Sequence, residues 1–281
     1  MVCLLKDIKV DEHGCVVPLS PSLQVVTMKS PITAAIAASC LMAVASAFPT
    51  NLLKRQDSCP ADALSCSASS GDSCCTPKNG LLVHVQQWSP GYGPSDAFTM
   101  HGLWPDTCSG GIPGSGDSGC DSSRNYDDVG SIIKGKDSSL YNTMNTYWPS
   151  NKGDNSEFWT HEWNKHGTCV TTLDPECYGD SYQKNDDVID YFQQAIDLRS
   201  KYDLHAILSK ASITPGKSYS VSDIEDAIQQ STGATPKVTC SGGDLEEIWL
   251  YFHVKGKDGY VPTDSVDKST CSGSVNYPEK N

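Results

Sequence analysis

Residues 158–169 have the sequence FWTHEWNKHGTC and concentrate four ionisable side chains, those of His161, Glu162, Lys165 and His166. On a helix, where successive residues are about 100° apart, these four side chains fall within an arc of about 140°. A solvated charged face is the alternative interpretation, but such a face rarely carries two histidines flanked by tryptophan and phenylalanine and closed by Gly-Thr-Cys. The stretch therefore predicts a catalytic face on a helix.

A zinc site is a second alternative for this stretch, because His-Glu-x-x-His on a helix places two imidazoles one turn apart around a metal ion. The spacing here differs from that pattern. Lys165 lies four residues after His161 and would repel a dication, and His166 lies five residues after it. The spacing therefore disfavours a zinc site and with it a metalloprotease. No other cofactor is expected either.

A second candidate segment, residues 100–106 with the sequence MHGLWPD, supplies another histidine next to a glycine that brings backbone close. His101 is the catalytic candidate, and Trp104 and Asp106 lie just beyond it. Burial in the core is the alternative role for Trp104. Three further histidines after residue 55 lie in apparent strands or a helical stretch, where we expect structural roles; they are His84, His205 and His253.

The charge of the chain limits how it could bind nucleic acid. Its net charge is −13, and after residue 55 it carries 31 acidic against 16 basic residues, a net charge of −15. That sign opposes the binding of a polyanion by bulk electrostatics, so any nucleic-acid activity must come from a local site. With 38% hydrophobic and 20% charged residues, the composition is that of a globular chain and excludes collagen, coiled coil and disorder.

The first 55 residues have the features of a secretory leader. An apolar run from residue 32 to residue 47 follows Met28-Lys29 and ends in Ala-Ser-Ala, as in a signal peptide with its cleavage site, and it is too short for a membrane span. A buried core helix is the alternative. We expect translation to start at Met28, residues 1–47 to be a leader, residues 48–55 to be a short pro-segment ending at Lys54-Arg55, and residues 56–281 to be one catalytic domain.

Thirteen cysteines point to disulfides formed in an oxidising compartment. Ten remain after the leader, enough for five bridges with no free thiol, but the spacing alone leaves about 945 pairings open. Cys74 and Cys75 are neighbours and should have different partners. A zinc site is disfavoured, since these cysteines form no C-x-x-C pair and no histidine cluster has ligand spacing.

Strands and helices occur together without regular alternation, which predicts an α+β domain. Residues 81–88 and 247–254 have the apolar content of strands and stop at turn signals. Helical periodicity extends over residues 188–199. A capping box, in which Ser222 is followed by a glutamate three residues later, predicts another helix through Ile228.

Residues 101–105 (HGLWP), together with residues 161–169, resemble the two catalytic segments of the ribonuclease T2 family, the acid, transferase-type ribonucleases. Residues 85–91, VQQWSPG, resemble the family's core strand, and the ten cysteines fit the five-bridge frame of its fungal members. The resemblance covers essentially the whole chain after the leader. It implies an α+β fold with a central antiparallel sheet and flanking helices, no metal cofactor, and endonucleolytic cleavage of RNA through a 2',3'-cyclic phosphate.

The resemblance also implies a role for each catalytic candidate. His166 is the expected base for the 2'-hydroxyl, His101 the expected acid for the 5'-oxygen, and His161 a phosphate-holding residue. Lys165 and Glu162 are expected to stabilise the pentavalent phosphorus. The chemistry supports this set, since internal transfer needs a base, an acid, and positive charge or donors around the phosphoryl oxygens. The acidic composition fits work at low pH, where carboxylates become protonated and histidines charged.

Two base-binding sites follow from the resemblance. Trp104 and Asp106 are expected to form the first, with the indole stacked on the base and the carboxylate accepting from an exocyclic amine. Ile112, in a Gly/Ser-rich loop over residues 109–119, stands where fungal relatives usually have an aromatic residue, a departure that affects base preference. The second site is expected to comprise Gln87, Pro149, Ser150, Asn151 and Phe158.

The resemblance implies one set of five bridges, in which the pair formed by Cys120 and Cys169 anchors the end of the catalytic helix. The set is Cys59–Cys75, Cys66–Cys108, Cys74–Cys177, Cys120–Cys169 and Cys240–Cys271.

The resulting hypothesis is a monomeric endoribonuclease, secreted or delivered to a vacuolar or lysosomal lumen, that cleaves single-stranded RNA at acidic pH with low base specificity and no obligate protein partner. The alternative is a secreted binding protein that retains the fold without activity. A missing catalytic histidine would favour that alternative, and none is missing. No Asn-x-Ser/Thr sequon occurs, so N-glycosylation is not expected.

Overall fold

The computed structural model describes residues 59–67, 71–114, 116–256 and 259–280. The predicted leader and pro-segment, and the domain start at Gln56, lie outside these residues. The described residues form seven strands: β1 (Leu81–Gln87), β2 (Thr99–Asp106), β3 (Lys217–Ser220), β4 (Lys237–Ser241), β5 (Asp244–Lys255), β6 (Gly259–Thr263) and β7 (Ser274–Tyr277). They also form six α-helices: α1 (Val129–Lys136), α2 (Ser138–Tyr147), α3 (Asn155–Lys165), α4 (Asp186–Lys201), α5 (Leu204–Lys210) and α6 (Val221–Thr232). None of these helices is long and apolar enough to cross a membrane.

The strands form one sheet in the order β2-β1-β5-β7-β3, and β4 and β6 also pair with β5. The pairings between these strands are antiparallel, apart from one parallel pair of Asp244 in β5 with Asn276 in β7. β5 is 12 residues long, so β4 and β6 pair with successive parts of it. The predicted α+β fold with a central antiparallel sheet and flanking helices is confirmed.

β1 lies between β2 and β5, and all seven of its residues are buried. On one face of the sheet, Nε2 of His84 lies 3.0 Å from the carbonyl oxygen of Ala195 in α4, so α4 covers that face. On the other face, Val83 and Val85 belong to a smaller apolar cluster against which Trp104 packs. Because side chains alternate along a strand, this second face carries the functional candidates of β2.

The three histidines predicted to have structural roles lie apart from one another. Burial lowers the pKa of His84 to about 4 and keeps that ring neutral. The ring of His205, in α5, stacks on Trp88 with 6.0 Å between centroids. His253 lies in β5 opposite Leu81 of β1.

The helix boundaries correct one detail of the sequence analysis. The predicted helix over residues 188–199 lies within α4, but α6 is capped by Ser220, whose Oγ accepts a hydrogen bond from the backbone N–H of Asp223 at 3.0 Å. The prediction that Ser222 and Glu225 form the capping box is wrong. Both serines precede an acidic residue by three positions, and Ser220 has the extended backbone that a cap requires because β3 ends there.

Five disulfides join the ten cysteines of the described residues, and they are the set that the family resemblance implies. They are Cys59–Cys75, Cys66–Cys108, Cys74–Cys177, Cys120–Cys169 and Cys240–Cys271.

Candidate active site

Helix α3 is fixed in place by its cap and by two buried tryptophans. The carboxylate of Asp154 accepts a hydrogen bond from a backbone N–H of the first turn. The indole N–H of Trp159 donates to the carbonyl oxygen of Trp148, and that of Trp163 donates to the carbonyl oxygen of Arg124, each at 2.8 Å. These bonds set the rotation of the helix and thereby the directions of its other side chains.

His166 lies at the end of α3 rather than within it. The helix ends at Lys165, and the backbone N–H of His166 donates to the carbonyl oxygen of Glu162 at 3.0 Å before the chain enters a 3-10 turn over Gly167–Cys169. The ring centroids of His161 and His166 are 6.3 Å apart. The expected convergence of these side chains thus comes from the helix together with its C-terminal cap.

His161, Glu162 and His166 could approach one cation together, because a ligand atom of each lies within 4.8 Å of the others. Burial, followed by the positive charge of Lys165, lowers the pKa of both histidines. The lysine charge therefore acts on the same space and would repel a dication. At this place the charge of Lys165 favours an anion, such as a phosphate group, over a dication.

His101 lies at a β-bulge in β2. Val85 of β1 pairs with Gly102 and the next residue, Gln86, pairs with Met100, so His101 has no partner on β1. In a regular ladder His101 would pair with Gln86 and share its face, where the Gln86 amide donates to the carbonyl oxygen of Tyr202 in the core. The bulge turns the imidazole to the other face of the sheet.

Gly102 permits the close approach of β2 to α3. A Cβ atom at this position would overlap the carboxylate of Glu162 and the indole of Trp104. The glycine of the HGLWP segment is therefore required by the close contact between β2 and α3.

Glu162 is buried, with 1% of its surface exposed, and Oε2 accepts a hydrogen bond from the indole N–H of Trp104 at 2.9 Å. Burial raises the pKa of Glu162 to about 7, against the opposing effects of His101, the Trp104 hydrogen bond and Lys165. The Trp104 ring also stacks on His166, with 5.2 Å between centroids and 27° between planes. Trp104 thus contacts two residues that lie about one turn apart at the C-terminal end of α3.

The environments of His101 and His166 shift their pKa values in opposite directions. Burial, together with the charges of Lys165, His161 and His101, lowers the pKa of His166 to about 3. Burial also opposes the charging of His101, but a hydrogen bond to Glu247 and the charges of nearby carboxylates raise its pKa above 6.5. His166 is consequently neutral over a pH range in which His101 carries a proton.

Glu247 is a site residue that sequence reasoning missed, since it was assigned only to a strand. Its Oε1 atom is hydrogen-bonded to Nδ1 of His101, and its Oε2 atom accepts from the indole N–H of Trp249 at 2.8 Å. Strand periodicity gives no signal for such a contact.

A cavity of about 450 Å³ lies beside these groups. It is lined by four of the five residues predicted for the second base site, namely Gln87, Ser150, Asn151 and Phe158. Pro149 is not among the lining residues. The other lining residues are His101, His161 and Glu162 of the predicted catalytic set, with Ser89, Lys152, Asp154, Glu157, Glu246 and Glu247.

The residues predicted for the first base site lie outside this cavity. Trp104 makes the contacts with Glu162 and His166 described above and meets Trp249 edge-on at 5.0 Å. Asp106 ends β2, where burial and the charge of Asp267 raise its pKa to about 6. A base platform at Trp104 therefore stays a prediction.

A second residue without a sequence signal is Arg124, which is 6% exposed. Its guanidinium donates to the carbonyl oxygen of Thr168 at 2.8 Å and to the carboxylate of Asp174 at 2.7 Å. It also contacts Asp187 at 3.5 Å. Arg124 thereby holds the turn that follows α3.

Comparison with known proteins supports the family resemblance seen in the sequence. The sequence profile of the Ribonuclease T2 family matches residues 65–267. Ribonuclease Rh of Rhizopus niveus is 54% identical over 224 residues, which cover 79% of this chain and 93% of that protein. Ribonuclease T2 of Aspergillus oryzae (strain ATCC 42149 / RIB 40) is 41% identical over 230 residues, which cover 77% of this chain and 82% of that protein.

Solved structures agree with the sequence relatives. Actibind, described as a T2 ribonuclease, superposes with a TM-score of 0.74 at 40% identity, over 80% of this chain and 99% of its own. RNase NT, solved in complex with 5'-AMP, gives a TM-score of 0.54 at 27% identity, over 71% of this chain and 98% of its own. The chain therefore belongs to the ribonuclease T2 family of endoribonucleases.

Proposed function

We propose that this protein cleaves single-stranded RNA by attack of the 2'-hydroxyl on phosphorus, through a 2',3'-cyclic phosphate to 3'-phosphate ends, at acidic pH and without a metal ion. The observation that carries this proposal is the contrast between two histidines. His166 is neutral above a pKa of about 3, while His101 has a raised pKa and stays protonated. Concerted transfer needs one neutral and one charged imidazole at the same time.

In the first step His166 accepts the proton of the 2'-hydroxyl, and the 2'-oxygen forms a bond to phosphorus. The bond from phosphorus to the 5'-oxygen breaks, and His101 donates its proton to that leaving oxygen. In the second step the oxygen of a water molecule forms a bond to phosphorus, and the bond from phosphorus to the 2'-oxygen breaks. His101 then accepts a proton from water, and His166 returns one to the 2'-oxygen.

Charge around the phosphoryl oxygens completes the mechanism. Lys165 supplies a positive charge, and His161 supplies ring N–H donors. Glu162, with a pKa of about 7, is protonated at acidic pH, so it can donate a hydrogen bond to a phosphoryl oxygen instead of repelling it. An acidic working pH therefore agrees with the burial of this carboxyl group.

Base recognition is expected to be weak. The cavity beside His101 offers the Phe158 ring, 5.8 Å from the His101 ring, together with the neutral groups of Gln87, Ser150 and Asn151. Stacking is tolerant of base identity because every base has a π-face. RNase NT was solved with 5'-AMP and a variant of RNase MC1 with 5'-GMP, which supports a nucleotide as the occupant here. Trp104 and Asp106 are proposed as the other base site.

The compartment and assembly state remain part of this proposal. The leader features, the five disulfides and the similarity to fungal ribonucleases support a protein that is secreted or delivered to a vacuolar or lysosomal lumen. We expect a single chain to act without an obligate partner, because the catalytic groups named above all come from one chain.

The test is cleavage of three matched oligonucleotides, in RNA, 2'-O-methyl RNA and DNA, by the purified protein at acidic pH in EDTA. We expect cleavage of RNA alone, with cyclic phosphate ends that later become 3'-phosphates. His101→Phe and His166→Phe should each lower turnover at least about a hundredfold while RNA binding is largely kept. Loss of RNA cleavage in EDTA, or cleavage of the 2'-O-methyl substrate, would overturn the proposal.

A further inference from the structure

The carboxylate of Glu247 uses both of its oxygens. Oε1 is hydrogen-bonded to Nδ1 of His101, and Oε2 accepts from the indole N–H of Trp249 at 2.8 Å. The side chain of Glu247 is only 13% exposed. Burial favours its neutral form, but the His101 hydrogen bond and charge, the Trp249 hydrogen bond and Lys237 together lower its pKa. Glu247 is therefore an ionised acceptor held in one orientation.

The contact between Glu247 and His101 joins two strands that are not neighbours in the sheet. Glu247 of β5 pairs with Gln87 of β1, and Gln87 pairs with Thr99 of β2, so β1 lies between the two partners. His101 reaches across β1 only because the bulge frees it from its own pairing position. The sheet thus provides the geometry for this contact in two separate features, the bulge in β2 and the register of β5.

Other titratable groups also act on the His101 ring. Glu162, from α3, and Glu246, the exposed neighbour of Glu247 in β5, both favour its charged form. His161 of α3 and His166, the C-terminal cap of that helix, are influenced by the His101 charge in turn. Among these groups, Glu247 alone is hydrogen-bonded to the ring in the described part of the chain.

We propose that Glu247 is the positioning residue of His101: its carboxylate accepts a hydrogen bond from Nδ1–H, fixes the ring orientation, and leaves Nε2–H as the proton donor to the 5'-oxygen. This inference rests on the proposed function, in which His101 protonates the leaving group. A carboxylate that orients a catalytic imidazole and stabilises its charged form has this effect in other enzymes. Glu247 itself does not exchange a proton with the substrate.

The test compares two substrates with different leaving groups. One is a dinucleoside monophosphate, whose 5'-oxygen must be protonated; the other is the matching nucleoside 3'-(4-nitrophenyl phosphate), whose leaving group needs no proton. Glu247→Gln keeps the shape but removes the charge. We expect kcat/KM for the dinucleotide to fall about tenfold or more, within the range of general acid catalysis, and the activated ester to change less than about twofold.

NMR titration of the His101 ring gives a second measurement. In Glu247→Gln the pKa of His101 should fall, and the descending limb of the pH–rate profile should move to lower pH with it. Glu246→Gln is the matched control, because it removes the same charge one residue away without touching the hydrogen bond. Its effect on both measurements should be smaller than that of Glu247→Gln.

Three results separate the explanations. Equal losses on both substrates would mean that Glu247 has a purely structural role, and no loss on either would mean that His101 does not need it; both overturn the inference. If Glu247→Gln does not fold, Trp249→Phe frees Oε2 while keeping the carboxylate, and it should slow the dinucleotide more than the ester. If His101→Phe itself leaves dinucleotide cleavage intact, the proposed function fails instead.

Discussion

The indole of Trp104 donates a hydrogen bond to the buried carboxyl group of Glu162, with 2.9 Å between Nε1 and Oε2. This bond joins β2 to α3 and crosses 58 residues of sequence. The same indole stacks on His166. One side chain therefore sets the distance between the segment that holds the proposed acid, His101, and the segment that holds the proposed base, His166.

Trp104→Phe should destabilise the fold and slow catalysis, because it leaves Oε2 of Glu162 without its donor in a buried place. Loss of one partner from a buried hydrogen bond typically costs about 1–3 kcal/mol. Urea unfolding of Trp104→Phe, Glu162→Gln and the double variant would measure the coupling between the two residues. If the losses in the free energy of unfolding of the two single variants add up to that of the double variant, a direct interaction is contradicted.

The pH dependence of kcat/KM should be a bell. A general base must be unprotonated, so the rate rises with pH through the pKa of His166, about 3. A general acid must be protonated, so the rate falls as pH rises through the raised pKa of His101. A profile whose ascending limb lies near neutral pH would contradict this assignment.

Lys165→Gln should move the ascending limb to higher pH. The lysine charge is the cause, after burial, that lowers the pKa of His166, so its removal lets that pKa rise. Turnover should also fall, because the positive charge near the phosphate is lost. Lys134→Gln removes a lysine from α1, outside the site, and serves as the control that should leave the limb in place.

Gly102→Ala should abolish activity, because the added Cβ overlaps Glu162 and Trp104 and pushes β2 away from α3. Gly135→Ala is a matched control in α1, where a Cβ meets nothing within 4 Å. Alanine in an exposed helix should stabilise the protein by up to about 1 kcal/mol. Thermal unfolding and turnover of both variants test this contrast, which near-parental activity of Gly102→Ala would refute.

Two variants, each lacking one disulfide, should lose similar stability but different amounts of activity. Cys120 and Cys169 are 49 residues apart, and Cys240 and Cys271 are 31 residues apart. Loop entropy therefore predicts that replacing either pair by serine lowers the free energy of unfolding by about 4 kcal/mol. Only Cys120–Cys169 anchors the turn after the catalytic helix. Activity measured well below the unfolding temperature should drop further in that variant, and equal activities would contradict the assigned role.

Much of the site follows from local sequence. His161, Glu162 and Lys165 share a helix, so helical geometry alone brings them together. The HGLWP segment can be recognised from the sequence by its unusual composition around His101. The fold class follows from the mixture of strand and helix patterns.

Other parts of the site depend on features that no local pattern encodes. Glu247 meets His101 across 146 residues, through a strand register and a bulge that are both settled by the assembled sheet. His166 lies in the helix cap, so a helical projection misplaces it. Arg124 is one basic residue among acidic neighbours, and only the packed turn after α3 reveals its contacts. The α6 cap was misassigned because two overlapping serine–acid spacings satisfy the same rule.

The bulge at His101 divides β2 into two segments that pair with β1 in separate registers. Thr99 and Met100 follow one register, while Trp104 and Asp106 follow the other. A small backbone movement in one segment therefore does not require the other segment to change its pairing with β1. We therefore expect substitution of Asp106, at the end of the second segment, to change base preference while the backbone pairing beside His101 is kept. Trp104 is different, because its ring meets the His101 ring edge-on with 5.0 Å between centroids and so links the two segments through side chains.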